Sequence, residues 1–251
     1  MSRELFDYIS NRDEKSALEL LNAPSGVTHI HAKNKHGLKT LFLAVEKELP
    51  AVVEKLLSLG ADPNEGDGEF SPLHVAALSL DHGSVMTSAL IQYGGNIREL
   101  DTYDATPLHA AASKNNIDTI KVILNSLQGR QDPELLNTQD KNKYTALDYA
   151  TKYPEFQATA RVLLDSGATI ELQHLLHAAY FGNIEAVKYI DTQNHSLLSG
   201  HDDHGDTCLH YAALGIVNNH IDNSIMAELK TLGAIVSANT DGCFPADLID
   251  N

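Results

Sequence analysis

The segment Thr106-Pro107-Leu108-His109-Ala110-Ala111 recurs, with substitutions, along this 251-residue chain. Ser71-Pro72-Leu73-His74-Val75-Ala76-Ala77 and Thr207-Cys208-Leu209-His210-Tyr211-Ala212-Ala213 repeat it closely, and Lys39-Thr40-Leu41-Phe42-Leu43-Ala44-Val45 more weakly. Between the equivalent leucines Leu41, Leu73, Leu108, Leu147, Leu175 and Leu209 the spacings are 32, 35, 39, 28 and 34 residues. Spacings scattered around one period specify an array of one small unit. Such a unit cannot bury its apolar surface alone, so neighbours must stack into a continuous, nearly one-dimensional core.

A companion pattern follows each start: Leu56-Leu57-Ser58-Leu59-Gly60-Ala61-Asp62-Pro63-Asn64, Leu90-Ile91-Gln92-Tyr93-Gly94-Gly95-Asn96, Leu163-Leu164-Asp165-Ser166-Gly167-Ala168-Thr169 and Leu229-Lys230-Thr231-Leu232-Gly233-Ala234-Ile235. The third repeat shows what the pair of motifs does. Asp101 to Ala105 is polar and turn-prone, Thr106 offers an N-cap hydroxyl, and Pro107 pre-sets φ at the first helical position. Leu108, Ala111 and Ala112 give a narrow apolar stripe of small residues, which lets the next repeat approach closely. Asn115-Asn116 breaks that helix, and a second begins near Ile117 with Ile117, Ile120, Val122, Ile123 and Leu124 on a wider apolar face. In the first repeat Gly60 supplies the left-handed residue that ends the second helix.

The pairing of T-P-L-H-x-A-A with a distal L-L-x-x-G-A-D-x-N resembles the ankyrin repeat. The resemblance implies an all-α solenoid of helix-turn-helix units with short β-hairpin tips, acting as a non-enzymatic protein-interaction module. It also implies that His74, His109 and His210 hydrogen-bond the hairpin backbone and are neither bases nor metal ligands.

The expected organisation is a single repeat domain over 1–251. Residues 1–33 form an N-terminal cap, repeats occupy 34–65, 66–100, 101–139, 140–171, 172–201 and 202–238, and 239–251 begins a partial repeat. Departures from the pattern carry more information than matches. Extra residues stand near Leu80-Asp81-His82-Gly83 and around Val217-Asn218-Asn219-His220-Ile221, and Gln128 to Pro133 predicts a protruding loop. The fifth repeat lacks its D-x-x-G-x-T-P start, which predicts an interrupted hairpin row and two sub-surfaces, 34–171 and 172–251.

The formal charge of −16 disfavours nucleic acid and anionic membrane as partners, because phosphates would be repelled. Residues 172–251 hold two basic groups, Lys188 and Lys230, against ten acidic ones, which suits a partner protein with a basic surface. Two cysteines, Cys208 and Cys243, make no disulfide framework, and the start Met-Ser-Arg-Glu-Leu-Phe-Asp has no apolar signal region. A cytoplasmic protein without cofactor is expected. Irregular, Asn- and His-rich repeats also resemble those of effectors secreted by intracellular bacteria, which would place the chain in a host cytoplasm. Alternatively the array is the recognition part of a larger enzyme continuing past Asn251, or residues 172–251 are an enzyme in themselves.

The resemblance places partner contacts on hairpin tips and on the first-helix residues that follow, lining a concave face. Carried over by position, the candidates are Lys35, His36 and Leu38, then Asp67, Gly68, Phe70 and Leu78, then Thr102, Tyr103, Ala105, Ser113 and Lys114. Lys141, Asn142, Tyr144, Lys152 and Tyr153 follow in the fourth repeat, and Asp203, His204, Asp206 and Leu214 in the sixth. Phe70, Tyr103, Tyr144 and Tyr153 are candidate aromatic anchors. Phe70 and Tyr144, each just before a Ser or Thr, can instead fold back over the hairpin. His201-Asp202-Asp203-His204-Gly205-Asp206 has metal-ligand residue types, but Asp202 and Gly205 are already explained by the turn, and no metal is expected. Cys208 and His210 point to different faces of a helix start, so no catalytic pair is expected.

Overall fold

The computed structural model describes residues 2–34, 36–218 and 221–249. Candidate Lys35, and Asn219 and His220 of the sixth-repeat insertion, lie outside them. The described residues form pairs of short antiparallel-type helices joined by tight turns, with no extended sheet; the β contribution is two isolated bridges, Lys33 with Lys39 and His201 with Thr207. The chain packs as two compact bodies, Met1–Lys143 and Tyr144–Asn251.

In the N-terminal body the helices are α1 (Ser2–Ser10), α2 (Glu14–Asn22), α3 (Thr40–Glu46), α4 (Pro50–Ser58), α5 (Pro72–Leu78), α6 (Gly83–Gln92), α7 (Pro107–Ser113), α8 (Ile117–Asn125) and α9 (Pro133–Leu136). The C-terminal body holds α10 (Ala146–Thr151), α11 (Gln157–Asp165), α12 (Leu172–Tyr180), α13 (Ile184–Gln193), α14 (Cys208–Val217) and α15 (Ser224–Leu232). From α3 onward, apart from α9, each first or inner helix is followed by a second, outer one. From Gln128 to Gln131 the chain forms the exposed loop that its sequence predicts. It runs directly into α9, because Asp132 caps that helix by accepting from Leu135 N at 3.1 Å, and Leu135 and Leu136 are buried.

The cores follow the apolar stripes. Leu56, Leu73 and Leu108 are fully buried, each worth about 2 kcal/mol on removal from water. Ala111, Ala112, Ala178 and Ala179 are also fully buried and keep adjacent inner helices close. Outer helices are tied to the preceding repeat by asparagine. Asn116 caps α8 by accepting from Thr119 N at 3.2 Å, while its amide donates to Ala77 O at 3.3 Å and Ser79 O at 2.6 Å. Asn183 does the same one body later, accepting from Ala186 N at 3.1 Å and donating to Thr151 O at 3.0 Å and Tyr153 O at 2.9 Å. Each side chain satisfies backbone groups that two helix ends leave orphaned.

The tips are built on an acidic or amide residue that accepts two backbone N–H groups. Asn34, Asp101, Asp202 and Asn239 each accept from the residues two and four positions on, at distances between 2.7 and 3.1 Å. The turn requires a left-handed residue three positions after that acceptor. Gly205 and Gly242 supply it with φ of 77° and 80°, whereas Asp104 and Lys143 adopt φ of 58° and 66° with a Cβ present. Between Ala168 and Leu172 no such turn forms, as the sequence predicts. The packing nevertheless does not divide there. Asn183 and the buried polar group described next bind the fourth and fifth repeats together across the missing hairpin.

Candidate functional site

In the second, third and sixth repeats a histidine at the third helical residue of the inner helix sets the geometry of the tips, where α3 of the first repeat has Phe42. His74 Nδ1 lies 3.3 Å from Ser71 N, and its Nε2 lies 2.9 Å from Ala105 O in the next tip. His109 repeats this with Thr106 N at 3.0 Å and Thr138 O at 3.0 Å, and His210 with Thr207 N at 3.1 Å and Cys243 O at 3.0 Å. An Nδ1 that accepts a backbone N–H leaves the proton on Nε2, which donates to the carbonyl, so each imidazole is neutral and spoken for. Burial pushes His74 below the ordinary imidazole range, consistent with that state.

The fourth repeat departs from this rule, and the fifth explains why. With no hairpin in the fifth repeat there is no tip carbonyl to receive an Nε2–H. Helix α12 presents donors instead, and the third helical residue of α10 is an acid, Asp148. Its carboxylate is buried and accepts from Thr145 N at 2.8 Å, Thr145 Oγ1 at 2.9 Å, His177 Nδ1 at 3.0 Å and Gln173 Nε2 at 3.3 Å. His174, capped through Nδ1 by Glu171 N at 2.9 Å, turns Nε2 toward Thr145 Oγ1 at 3.2 Å and Asp148. Burial pushes the Asp148 carboxyl up, but the hydrogen bonds from His174 and His177 outweigh it and hold the group well below the usual carboxylate range.

The candidate contact residues fall on both bodies. In the N-terminal body Tyr103 is 57% exposed, on a tip braced by Asp101 and by Lys141 N, which donates to Tyr103 O at 2.9 Å. Thr102 is exposed beside it in sequence, as are Lys114 at the end of α7 and Asn142 on the next tip; His36 is exposed and Leu38 half-buried. Leu78 ends α5 and is 36% exposed, and Ser113 is half-buried with its hydroxyl donating to Ala110 O at 2.8 Å. Phe70 is half-buried, its ring centroid 6.4 Å from that of His74.

In the C-terminal body Tyr144 is half-buried, its ring edge-on to Tyr149 at 5.8 Å and to His177 at 4.9 Å. Tyr153 is exposed at the end of α10 and meets Phe156 at 5.3 Å and Phe181 at 5.7 Å, while Lys152 Nζ stands 4.8 Å from the Phe181 ring. Asp203 and His204 are exposed on the tip before α14, and Asp206 Oδ1 accepts from Asn239 Nδ2 at 2.9 Å. Asp202 Oδ1 is taken up by His204 N and Asp206 N, both at 2.9 Å, and Oδ2 by Tyr211 OH at 3.0 Å. These carboxylates serve the turn. Cys208 is buried, and burial pushes its thiol up to about 11, away from nucleophilic character.

Tyr149, His177 and Tyr211 are not among the residues that the sequence marks as contacts. The signal was available. Each lies two residues after one of the aligned leucines, where the N-terminal body has Leu43, Val75 and Ala110. Phe156, Tyr180 and Phe181 are likewise outside it, though they build the surroundings of Tyr153.

Comparison with known proteins places this arrangement. The chain is 25% identical over 189 residues to the ankyrin repeat domain-containing protein SAT10 of Stachybotrys chartarum, covering 73% of this chain and 9% of that protein. It is 31% identical over 175 residues to human Rabankyrin-5, covering 65% of this chain and 14% of that one. It thus spans a small part of the length of either relative. The crystal structure of the human ASB11 ankyrin repeat domain superposes with a TM-score of 0.72 at 16% identity, over 92% of this chain and 98% of that one. The family model for ankyrin repeats, three copies, matches residues 41–137 and again 73–174. With more than half of its length under that model and the helix pairs and His-bonded tips in place, the chain belongs to the ankyrin-repeat family.

Proposed function

We propose that this chain is a non-enzymatic scaffold that binds a partner protein through its hairpin tips and inner helices. Ankyrin repeats are in general protein-protein interaction modules. The observation that carries the reading here is Tyr103. A large amphipathic ring stands 57% exposed on a tip whose backbone is fixed from both sides, so presenting it to a partner needs little ordering of the protein. Thr102, Lys114 and Asn142 extend that contact in the N-terminal body, with Phe70, Leu78 and Ser113 contributing their half-exposed edges. In the C-terminal body Tyr153 with Lys152, Tyr144, and the tip residues Asp203, His204 and Asp206 do the same. The partner has a basic surface, to which the net charge of −16 is complementary.

The test begins with affinity capture of a partner from a cell lysate, followed by titration of that purified partner against variants. Tyr103→Ala and Tyr153→Ala should each weaken binding by about 1–3 kcal/mol with little change in melting temperature. Unchanged affinity in both variants, together with loss on substitution of outer-helix residues such as Ser88 or Lys121, would refute this face.

A further inference from the structure

We propose that the row formed by Tyr149, His177 and Tyr211 on the inner helices of the C-terminal body receives arginine side chains from a basic segment of the partner. This deepens, and rests on, the interaction-scaffold reading above. Each of the three lies two residues after an aligned leucine, on α10, α12 and α14, helices that pack side by side in that order. All three are half-buried. Tyr144 stands edge-on to the first two rings, at 5.8 and 4.9 Å, which fixes their tilt. Tyr211 is fixed from the other side by its hydroxyl, which donates to Asp202 Oδ2 at 3.0 Å. The matching row of the N-terminal body, Leu43, Val75 and Ala110, has no ring to stack on.

Charge selects the occupant. The C-terminal body has four Lys and Arg residues against fourteen Asp and Glu, and where those four stand decides the sign of this face. Lys188 pairs with Glu185 and Glu228 on outer helices, Arg161 lies over the Tyr189 ring on α13, and Lys230 is on α15. Lys152, at the far end of α10, is held over Phe181. Lys141 and Lys143 precede Tyr144 on the tip that leads into α10, Lys141 Nζ donating to Thr102 O; from Tyr144 onward, among the described residues, no Lys or Arg lies on the tips or in the first turns of the inner helices. Asp148 sits directly behind His177 with Thr145, Gln173, His174 and His177 as its partners. Asp203 is exposed on the tip that leads into α14. Half-buried aromatic faces backed by carboxylates attract cations, and a guanidinium is preferred over an ammonium. It is planar, stacks on rings, and still offers its N–H fork to a carboxylate such as Asp203.

The test is fluorescence anisotropy of the full chain with labelled alternating Arg-Gly and Lys-Gly peptides of equal length and charge at physiological salt. The Arg-Gly peptide should bind about three- to fivefold tighter than its Lys-Gly counterpart. Tyr211→Leu and His177→Gln should each cut its affinity about fivefold, and Ser88→Ala on the outer helix should leave it unchanged. The melting curve of each variant establishes that it is folded, and either one alone is sufficient. No binding, equal affinity for the two peptides, or full affinity in a folded Tyr211→Leu or His177→Gln protein overturns the inference. Such a result leaves the scaffold reading standing if the captured partner still responds to Tyr103→Ala.

Discussion

Replacing Asp148 by alanine removes the acceptor for four donors at once, and their burial sets the size of the effect. Thr145 N–H donates at 2.8 Å and belongs to a buried residue, so leaving it unpaired alone costs about 1–3 kcal/mol. The Thr145 hydroxyl can rotate, and half-buried His177 and Gln173 can reach water, so they add less. The sum is about 2–4 kcal/mol at neutral pH. Asp148→His is the sharper variant, because histidine stands at this position in the second, third, fifth and sixth repeats. It restores an acceptor for Thr145 N–H, but its Nε2–H would face His174 and His177 where His74, His109 and His210 face a carbonyl. It should therefore be no more stable than the alanine variant. The pH dependence follows from the depressed carboxyl. Since its folded value lies below the unfolded one of about 3.9, its contribution is complete above that pH and is lost as pH falls further. Urea denaturation followed by circular dichroism, at neutral pH and in steps down to about pH 3.5, reads both effects. A wild-type-like Asp148→His protein, or a gap between wild type and Asp148→Ala that does not narrow in acid, refutes the argument.

His109→Ala should destabilise by about 1–3 kcal/mol in the same assay, because Thr106 N–H and Thr138 O both lose their partner, and should affect partner affinity only indirectly. Burial depresses the His74 imidazole, so its contribution is complete above the unfolded value of about 6.5 and lost as pH falls toward the folded one; an NMR titration of its ring should give a midpoint below that of a model imidazole. Asn183→Ala should cost more than a simple helix cap, above about 1 kcal/mol, because it also orphans Thr151 O and Tyr153 O. At mildly alkaline pH, iodoacetamide should label Cys243 well before Cys208, whose thiol is both buried and raised to about 11.

The repeating elements were legible because each has a local cause. Pro107, the Asn116 cap and Gly60 mark helix ends by their own chemistry, and the stripes of Leu and Ala mark the stacked faces. The missing fifth hairpin was equally legible, as an absence in the pattern. Its consequence was not, because the meeting of Asp148 with His174 and His177 spans 26 and 29 residues. Read in its own repeat, Asp148 is only a polar cap residue. The same limit applies to the binding surface. Tyr103 could be placed on a tip from its repeat alone, whereas Tyr144 was readable either as an anchor or as a cover, and its contacts with Tyr149 and His177 involve a side chain from the next repeat. Gln128 to Gln131 read correctly as a loop, whereas the short helix that follows was not legible, because it is anchored by Leu135 and Leu136 and has too few residues to show a periodic stripe.

On the proposed reading, the tips and inner helices, not the outer helices, meet the partner. Hydrogen-exchange mass spectrometry of the chain with and without its captured partner tests it directly. New protection is expected around Thr102 to Ala105, Asn142 to Tyr144 and Asp203 to Asp206 and along the inner helices, with α4, α6, α8, α11, α13 and α15 exchanging as before. Protection confined to those outer helices would contradict it.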